Sequence, residues 1–368
     1  MSFDKKALLL KILKTLFGRW RRGCPFEDGY TILLPSPMDM PFLLRFALEG
    51  LLRMDTSNCK QILVVPDGWG DDKGRALRDV IESFSDPRLE MVDLRWIDYK
   101  VIRAMKPPGC AATHWMMVVN GTTFARCEYA FLHDADAFFL ENDGLERQYR
   151  ECHDNGMFTL GVTARWDPQF LEHGYSIPGT WELMYSTRWA RSYTPYDLKN
   201  QKRQTPKGVV EFDSLLYPQF MDYPTGKVGV MDPPPQFVHF NGTIGAYRLF
   251  RDAGGKPVVD ELFRLVLLAI LESLVPDKSG VRVVPTVDEL AVGLEDPSAF
   301  VTYGTQLATQ EYPIFRKMID ELCEAPIMQG DRANQIRELI RPFDDYYAVH
   351  KADPTLGSLV RYRTNAII

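Results

Sequence analysis

Cysteine and histidine are scarce in this 368-residue chain, at six each. The cysteines (Cys24, Cys59, Cys110, Cys127, Cys152, Cys323) are scattered, and no two form a Cys-x-x-Cys. That spacing excludes a disulfide framework and a cysteine-rich zinc module, and it suits a reducing cytoplasm. No apolar run approaches the ~20 residues of a membrane-spanning helix. There is no internal repeat and no low-complexity segment. Asn120-Gly-Thr and Asn241-Gly-Thr would be glycosylation acceptors only in a secreted chain, and nothing here marks secretion.

What is present is unevenly distributed. The net charge is −6, yet residues 1–22 carry seven Lys/Arg against Asp4 alone, which leaves −12 on the remainder. An acidic body argues against a general nucleic-acid partner. On a helical wheel Leu9, Leu10, Ile12, Leu13, Leu16, Phe17 and Trp20 share one face of the basic segment. Lys11 and Lys14 interrupt the apolar centre that a signal peptide requires. Two readings stand for residues 1–22: a helix packed on its own domain or a second subunit, or one lying apolar face down on an anionic membrane surface.

Beyond it the pattern alternates. Tyr30 to Pro35 and Gln61 to Val65 are short apolar runs bounded by Gly and Pro, which read as buried parallel strands. Phe42 to Met54 and Gly74 to Phe84 have helical spacing, and Leu89 to Leu94 reads as a third strand. This β-α-β-α-β succession predicts an α/β domain with ligands beyond the carboxyl ends of its strands. Trp115 to Cys127 reads as a helix with a break or irregularity at Asn120-Gly121. Glu128 to Leu132 is then a strand that delivers Asp134 and Asp136, and Phe158 to Thr163 is a further strand. Residues 165–206, with Trp166, Trp181 and Trp189, read as an insert or lid. Val209 to Phe220 starts as a strand and turns helical near Asp213. Pro233-Pro234-Pro235 precedes Phe237 to Phe240, and from Asp260 the chain is mostly helical. The domain reading is a basic helix at 1–24, a catalytic domain at 25–255 and a helical region at 256–368.

Paired carboxylates at a strand end can grip a hard cation while leaving positions open for phosphate oxygens. Taken alone, Asp134-x-Asp136 reads first as a polar turn closing a strand. Three other stretches add weight: Tyr30 to Pro35, Ile62-Leu-Val-Val-Pro-Asp67-Gly68-Trp-Gly-Asp71-Asp72, and Val238-His239-Phe240-Asn-Gly242. Together with Ala125 to Asp136 these resemble nucleotide-sugar glycosyltransferases of the GT-A fold. The first strands are similar to family 2 enzymes, whereas the His-Phe-x-Gly segment is closer to glycogenin-like families. The likeness spans about residues 30–250. It departs at Pro66, where family 2 commonly has an acid, and it leaves inverting or retaining chemistry open.

The resemblance implies a Rossmann-like mixed sheet flanked by helices and a hexosyltransferase-type activity dependent on Mn²⁺ or Mg²⁺. It implies Asp134, Asp136 and His239 as metal ligands, with Asp134 alternatively on the donor ribose. Pro35, Asp67, Arg103 and Arg248 would contact the donor nucleotide. Asp213, or else Glu211, would be the general base of an inverting enzyme. Asp213 reads equally as a helix cap, Asp67 as a turn residue before Gly68, and His239 as a core histidine. His133, on the opposite strand face from the acids, is structural. The expected partners are a UDP- or GDP-sugar donor and a saccharide or lipid-linked saccharide acceptor, in surface-glycan synthesis at the inner membrane face. Two alternatives remain. A nucleotidyltransferase on a similar sheet would carry a glycine-rich basic loop where this chain has Pro35-Ser-Pro-Met-Asp39. A non-catalytic sugar- or partner-binding module would show no metal dependence.

Overall fold

The structure, a computed structural model, describes residues 20, 26–68, 70–92, 110–163, 174–206, 208–258, 261–275, 282–294, 297–301 and 312–350. Arg103, Trp166 and all of the basic segment 1–22 except Trp20 lie outside them. The chain forms two compact units. One comprises Met1–Met38, Asp55–Asp134 and Asp143–Pro235; the other comprises Asp39–Met54, Ala135–Asn142 and Gln236–Ile368. The strands in chain order are β1 (Glu27–Ser36), β2 (Cys59–Pro66), β3 (Leu89–Met91), β4 (Cys127–Leu132), β5 (Ala137–Phe139) and β6 (Thr159–Gly161). They continue with β7 (Leu183–Ser186), β8 (Gln201–Thr205), β9 (Gly208–Phe212), β10 (Val228–Val230) and β11 (Phe237–His239).

The first unit is built on a seven-stranded mixed sheet, ordered β10-β6-β7-β4-β1-β2-β3. Every neighbouring pair is parallel except the two that β7 makes, with β4 and with β6. The central strands β1, β2 and β4 are covered on both faces, which is why they read as continuous apolar runs rather than alternating ones. A proline in a central strand normally interrupts a ladder. Here Leu33 O accepts from His133 N at 3.0 Å, and β4 ends at Leu132. Pro35, two residues on and facing the same side, therefore falls past the last rung.

The helix Cys110–Phe124 packs on β1 and β2 and runs unbroken through Asn120-Gly121. Gly121 is there for close approach rather than for a break. A Cβ on it would stand 3.0 Å from Leu33 Cδ1 and 3.3 Å from Val65 Cγ2. Within the aromatic stretch expected to be a lid, β7 is a strand of the main sheet. Trp189 on the following helix Thr187–Ser192 is buried, donating from Nε1 to Asp222 Oδ2 at 2.6 Å. Trp20 is likewise buried and donates to Tyr193 O at 2.8 Å, so this member of the N-terminal apolar face is spent on the protein's own core.

The second unit is mostly helical. Among the described residues its ribbon pairs β5 antiparallel with β11, in the register Ala137↔His239. The helices Pro41–Leu51 and Leu262–Leu274 pack on each other, and Leu265 to Leu271 are all buried. Phe263 stacks on Phe315 at 5.0 Å and Tyr312 on Tyr347 at 4.3 Å, the aromatic clasp that closes Tyr312–Glu324 and Asp331–His350 onto this core. Among the described residues no helix is long and apolar enough to cross a membrane.

Candidate active site

Asp136 lies immediately before β5. Pairing of β5 with β11 sets His239 opposite Ala137, and the Asp136 carbonyl accepts from Phe240 N at 3.3 Å. This local geometry brings together two residues about a hundred positions apart. His239 Nε2 stands 3.2 Å from Asp136 Oδ1. The other carboxylate oxygen accepts from Thr243 Oγ1 at 2.6 Å and from Thr243 N at 3.4 Å. Thr243 opens the helix Thr243–Asp252, so Asp136 lies at the positive end of that helix dipole.

The turn that makes this approach is tight. Asn241 and Gly242 both take positive φ, at 43° and 85°. Arg264 Nε donates to Asn241 O at 2.6 Å and lies 3.2 Å from where a Gly242 Cβ would be. A side chain at 242 would meet both the strained φ and the guanidinium. Asp136 and His239 are 5% and 7% exposed. Burial alone would raise the Asp136 pKa. The charge of His239, its hydrogen bond and the two Thr243 donors outweigh burial and hold the carboxyl below the usual carboxylate range.

Asp134 closes the first unit. Its amide donates to Glu182 Oε1 at 3.2 Å, and the same oxygen lies 2.8 Å from His133 Nδ1. His133 thus faces Glu182, as expected of a side chain with a structural role. Only Ala135 separates Asp134 from Asp136, and two peptide units keep their Cα atoms within about 7 Å.

The remaining candidates have plainer surroundings. Asp67 Oδ1 accepts from Met38 N at 3.0 Å and Asp67 N donates to Ser36 O at 3.0 Å, which ties the loop after β1 to the end of β2. Pro35 is buried in β1. Arg248 is half-buried on Thr243–Asp252, and Arg103 lies outside the described residues. Glu211, exposed on β9, pairs across the hairpin with Lys202 Nζ at 3.2 Å. Asp213 follows β9, and its Oδ1 accepts from Asn200 Nδ2 at 2.9 Å and Ser214 N at 2.7 Å. The cap of the next helix is Leu215, in the left-handed region, so Asp213 does not cap it.

No family model matches this sequence, and no curated protein matches it. Solved structures do show likeness. A mannosyltransferase from Pyrobaculum calidifontis, in complex with GDP-Man and Mn²⁺, is 13% identical; the match covers 95% of this chain and 90% of that one, at a TM-score of 0.40. Glucosyl-3-phosphoglycerate synthase from Mycobacterium tuberculosis, with Mn²⁺ and UDP, is 11% identical over 67% of this chain and 83% of that one, at 0.36. TarS from S. aureus with UDP-GlcNAc is 11% identical over 87% of each chain, at 0.37. At these identities and TM-scores the likeness carries no function across, and the case for one rests on Asp136, His239 and Thr243 themselves.

Two participants were not foreseen from sequence. Thr243 was hidden in Asn241-Gly-Thr243, where a glycine followed by threonine at a helix start is the signal that was available. Glu182 sat in the aromatic stretch with nothing in the sequence to set it apart from the chain's surface acids.

Proposed function

We propose that the chain is a metal-dependent glycosyltransferase that moves a sugar from a UDP- or GDP-linked donor to a saccharide or lipid-linked saccharide. The observation that carries this is the Asp136–His239 pair. An anionic carboxylate oxygen and an imidazole nitrogen stand 3.2 Å apart, buried and held by two separate elements. That donor set fits a divalent cation of the Mn²⁺ type, because imidazole is better tolerated by Mn²⁺ than by Mg²⁺ or Ca²⁺. Asp136 and His239 would hold it, with Asp134 as third ligand or on the donor ribose. When bound, the cation neutralises charge that builds on a departing nucleoside diphosphate.

The protein's own residues supply the rest of this reading. Thr243 Oγ1 and N hold one Asp136 oxygen, which orients the carboxylate. Asp213, whose Oδ1 is oriented by Asn200 and Ser214 N, would take the acceptor proton in an inverting enzyme through its other oxygen. Glu211 is the alternate, Asp67 and Arg248 would contact the donor nucleotide, and in a retaining enzyme Asp213 would bind the acceptor instead. Residues 1–22 would hold the protein at an anionic membrane surface, a reading drawn from their charge and periodicity.

The test is donor hydrolysis across a panel of nucleotide sugars, with and without Mn²⁺. Slow hydrolysis of one donor, abolished by EDTA and in Asp136→Ala, supports the proposal. Absence of turnover and of any metal-dependent thermal shift with UDP and GDP compounds would sink it. Liposome flotation of the full chain against a chain lacking 1–22 tests the membrane contact, and equal flotation of the two would end it.

A further inference from the structure

The register of the sheet sets a second His–carboxylate pair beside the acidic loop. Leu132 pairs with Leu183 across β4 and β7, so the next rung outward is His133 with Glu182. Glu182 is fully buried and His133 is 1% exposed. Glu182 Oε1 lies 2.8 Å from His133 Nδ1 and accepts from Asp134 N at 3.2 Å. A single carboxylate oxygen therefore reaches the two residues through which the chain leaves β4.

Glu182 is itself unusually constrained. Its φ is +51°, in the left-handed region that a side-chain-bearing residue adopts only when its surroundings impose it. Gln148 Nε2, from the helix Gly144–Asp154, donates to Glu182 O at 3.0 Å and to Leu160 O at 2.8 Å. The backbone of Glu182 is thus pinned from the helix side. From that backbone its side chain reaches the Asp134 amide. Glu182 Oε2 is buried without a hydrogen-bond partner among the described residues, a cost the fold bears while keeping the carboxylate here.

From this arrangement we infer that Glu182 is a positioning residue for Asp134-Ala-Asp136, acting through the Asp134 amide and the His133 ring. It fixes the path of the loop's first residue while the helix Thr243–Asp252 fixes Asp136. The inference rests on reading that loop as cation-binding. A carboxylate that orients groups next to a metal ligand, without touching the metal, characteristically changes metal affinity by about 10–100-fold when removed.

The test is Mn²⁺ affinity by isothermal titration on the full chain. The variants are Glu182→Ala, Glu182→Gln, which keeps an acceptor oxygen in place, and Glu146→Ala as a control for structural loss. Glu146 is a comparably buried carboxylate in the same unit, accepting from Tyr30 OH at 2.9 Å and Asn58 Nδ2 at 2.7 Å. The expected result is at least a tenfold weaker Mn²⁺ Kd in Glu182→Ala. Values within about threefold of wild type are expected for Glu182→Gln and Glu146→Ala. Glu182→Asp, one methylene shorter, takes the place of the alanine variant if that chain does not fold, with the same weakening expected. Wild-type affinity in a folded Glu182→Ala or Glu182→Asp overturns the positioning role while the cation site stands. A wild-type protein that does not bind Mn²⁺ overturns both.

Discussion

Two buried histidine–carboxylate pairs of similar make-up serve different ends. His133 and Glu182 stand 2.8 Å apart, with side chains 2% and 0% exposed. His239 and Asp136 stand 3.2 Å apart, at 4% and 7%. The first pair spans the rung that follows the last register pair of β4 and β7, and its carboxylate is tied to a backbone amide. The second spans the start of a ribbon, and its carboxylate is tied to a helix N-terminus. A third group, Asp28, Glu128 and His153, again joins a histidine to carboxylates with ligand atoms within 4.8 Å of one another, but Asp28 and His153 are exposed. Residue type does not distinguish these clusters, and burial does not separate the first two. What separates them is which backbone each carboxylate restrains.

The largest effect is expected at Glu182. Removing one partner of a buried pair leaves an uncompensated polar group, so Glu182→Ala should lose about 3–5 kcal/mol in urea unfolding. Replacing both partners, as His133→Leu with Glu182→Met, should return stability to within about 1–2 kcal/mol of wild type, since a buried pair and an apolar pair of similar volume are often equivalent. Mn²⁺ affinity should not return with it. Recovery of both would make the pair a packing element only.

Asp136→Ala should show the opposite balance. Metal-dependent donor hydrolysis should fall at least ~100-fold, the scale on which loss of charge stabilisation at a leaving group is felt. Folding stability should drop by about 2–3 kcal/mol, less than at Glu182, because the His239 and Thr243 donors lose their buried acceptor. Thr243→Val is smaller again: loss of a charge-assisted hydrogen bond should cost about 1–2 kcal/mol in urea unfolding and weaken Mn²⁺ binding without abolishing it. The smallest effect concerns pH. Because the folded Asp136 carboxyl titrates below its unfolded value, its contribution to stability is complete above the unfolded pKa and is lost as pH falls through the folded one. Urea midpoints of metal-free wild type should therefore fall more steeply below pH 4 than those of Asp136→Asn. Parallel curves would remove His239 and Thr243 as the cause.

Much of this was legible in the residues. The apolar runs 30–35 and 61–65 are flanked by Gly and Pro and had few alternatives to buried parallel strands. The strand leading to Asp134 was equally clear, and the turn to helix after Phe212 followed from the change of period. Other features were not legible, for physical reasons. Leu183–Ser186 is four residues long and sits between aromatic segments, so neither period nor composition marks it as a sheet strand. Gly121 looked like a helix break, because a glycine admitted for close approach to Leu33 is indistinguishable from one admitted for flexibility until the partner is known. Glu182 depends on a register, Leu132 with Leu183, that only the folded sheet defines. His239 beside Asp136 was expected only through the resemblance of its His-Phe-x-Gly segment to glycogenin-like families; the residues alone read as readily as a core histidine.

The most direct test of the central claim is pulsed electron paramagnetic resonance of Mn²⁺ bound to the full chain in the presence of UDP or GDP. Nitrogen modulation from an imidazole that disappears in His239→Gln, together with phosphorus coupling from the diphosphate, is the result this account predicts. A bound Mn²⁺ with neither signal, or one whose spectrum is unchanged in Asp136→Ala and His239→Gln, would contradict it.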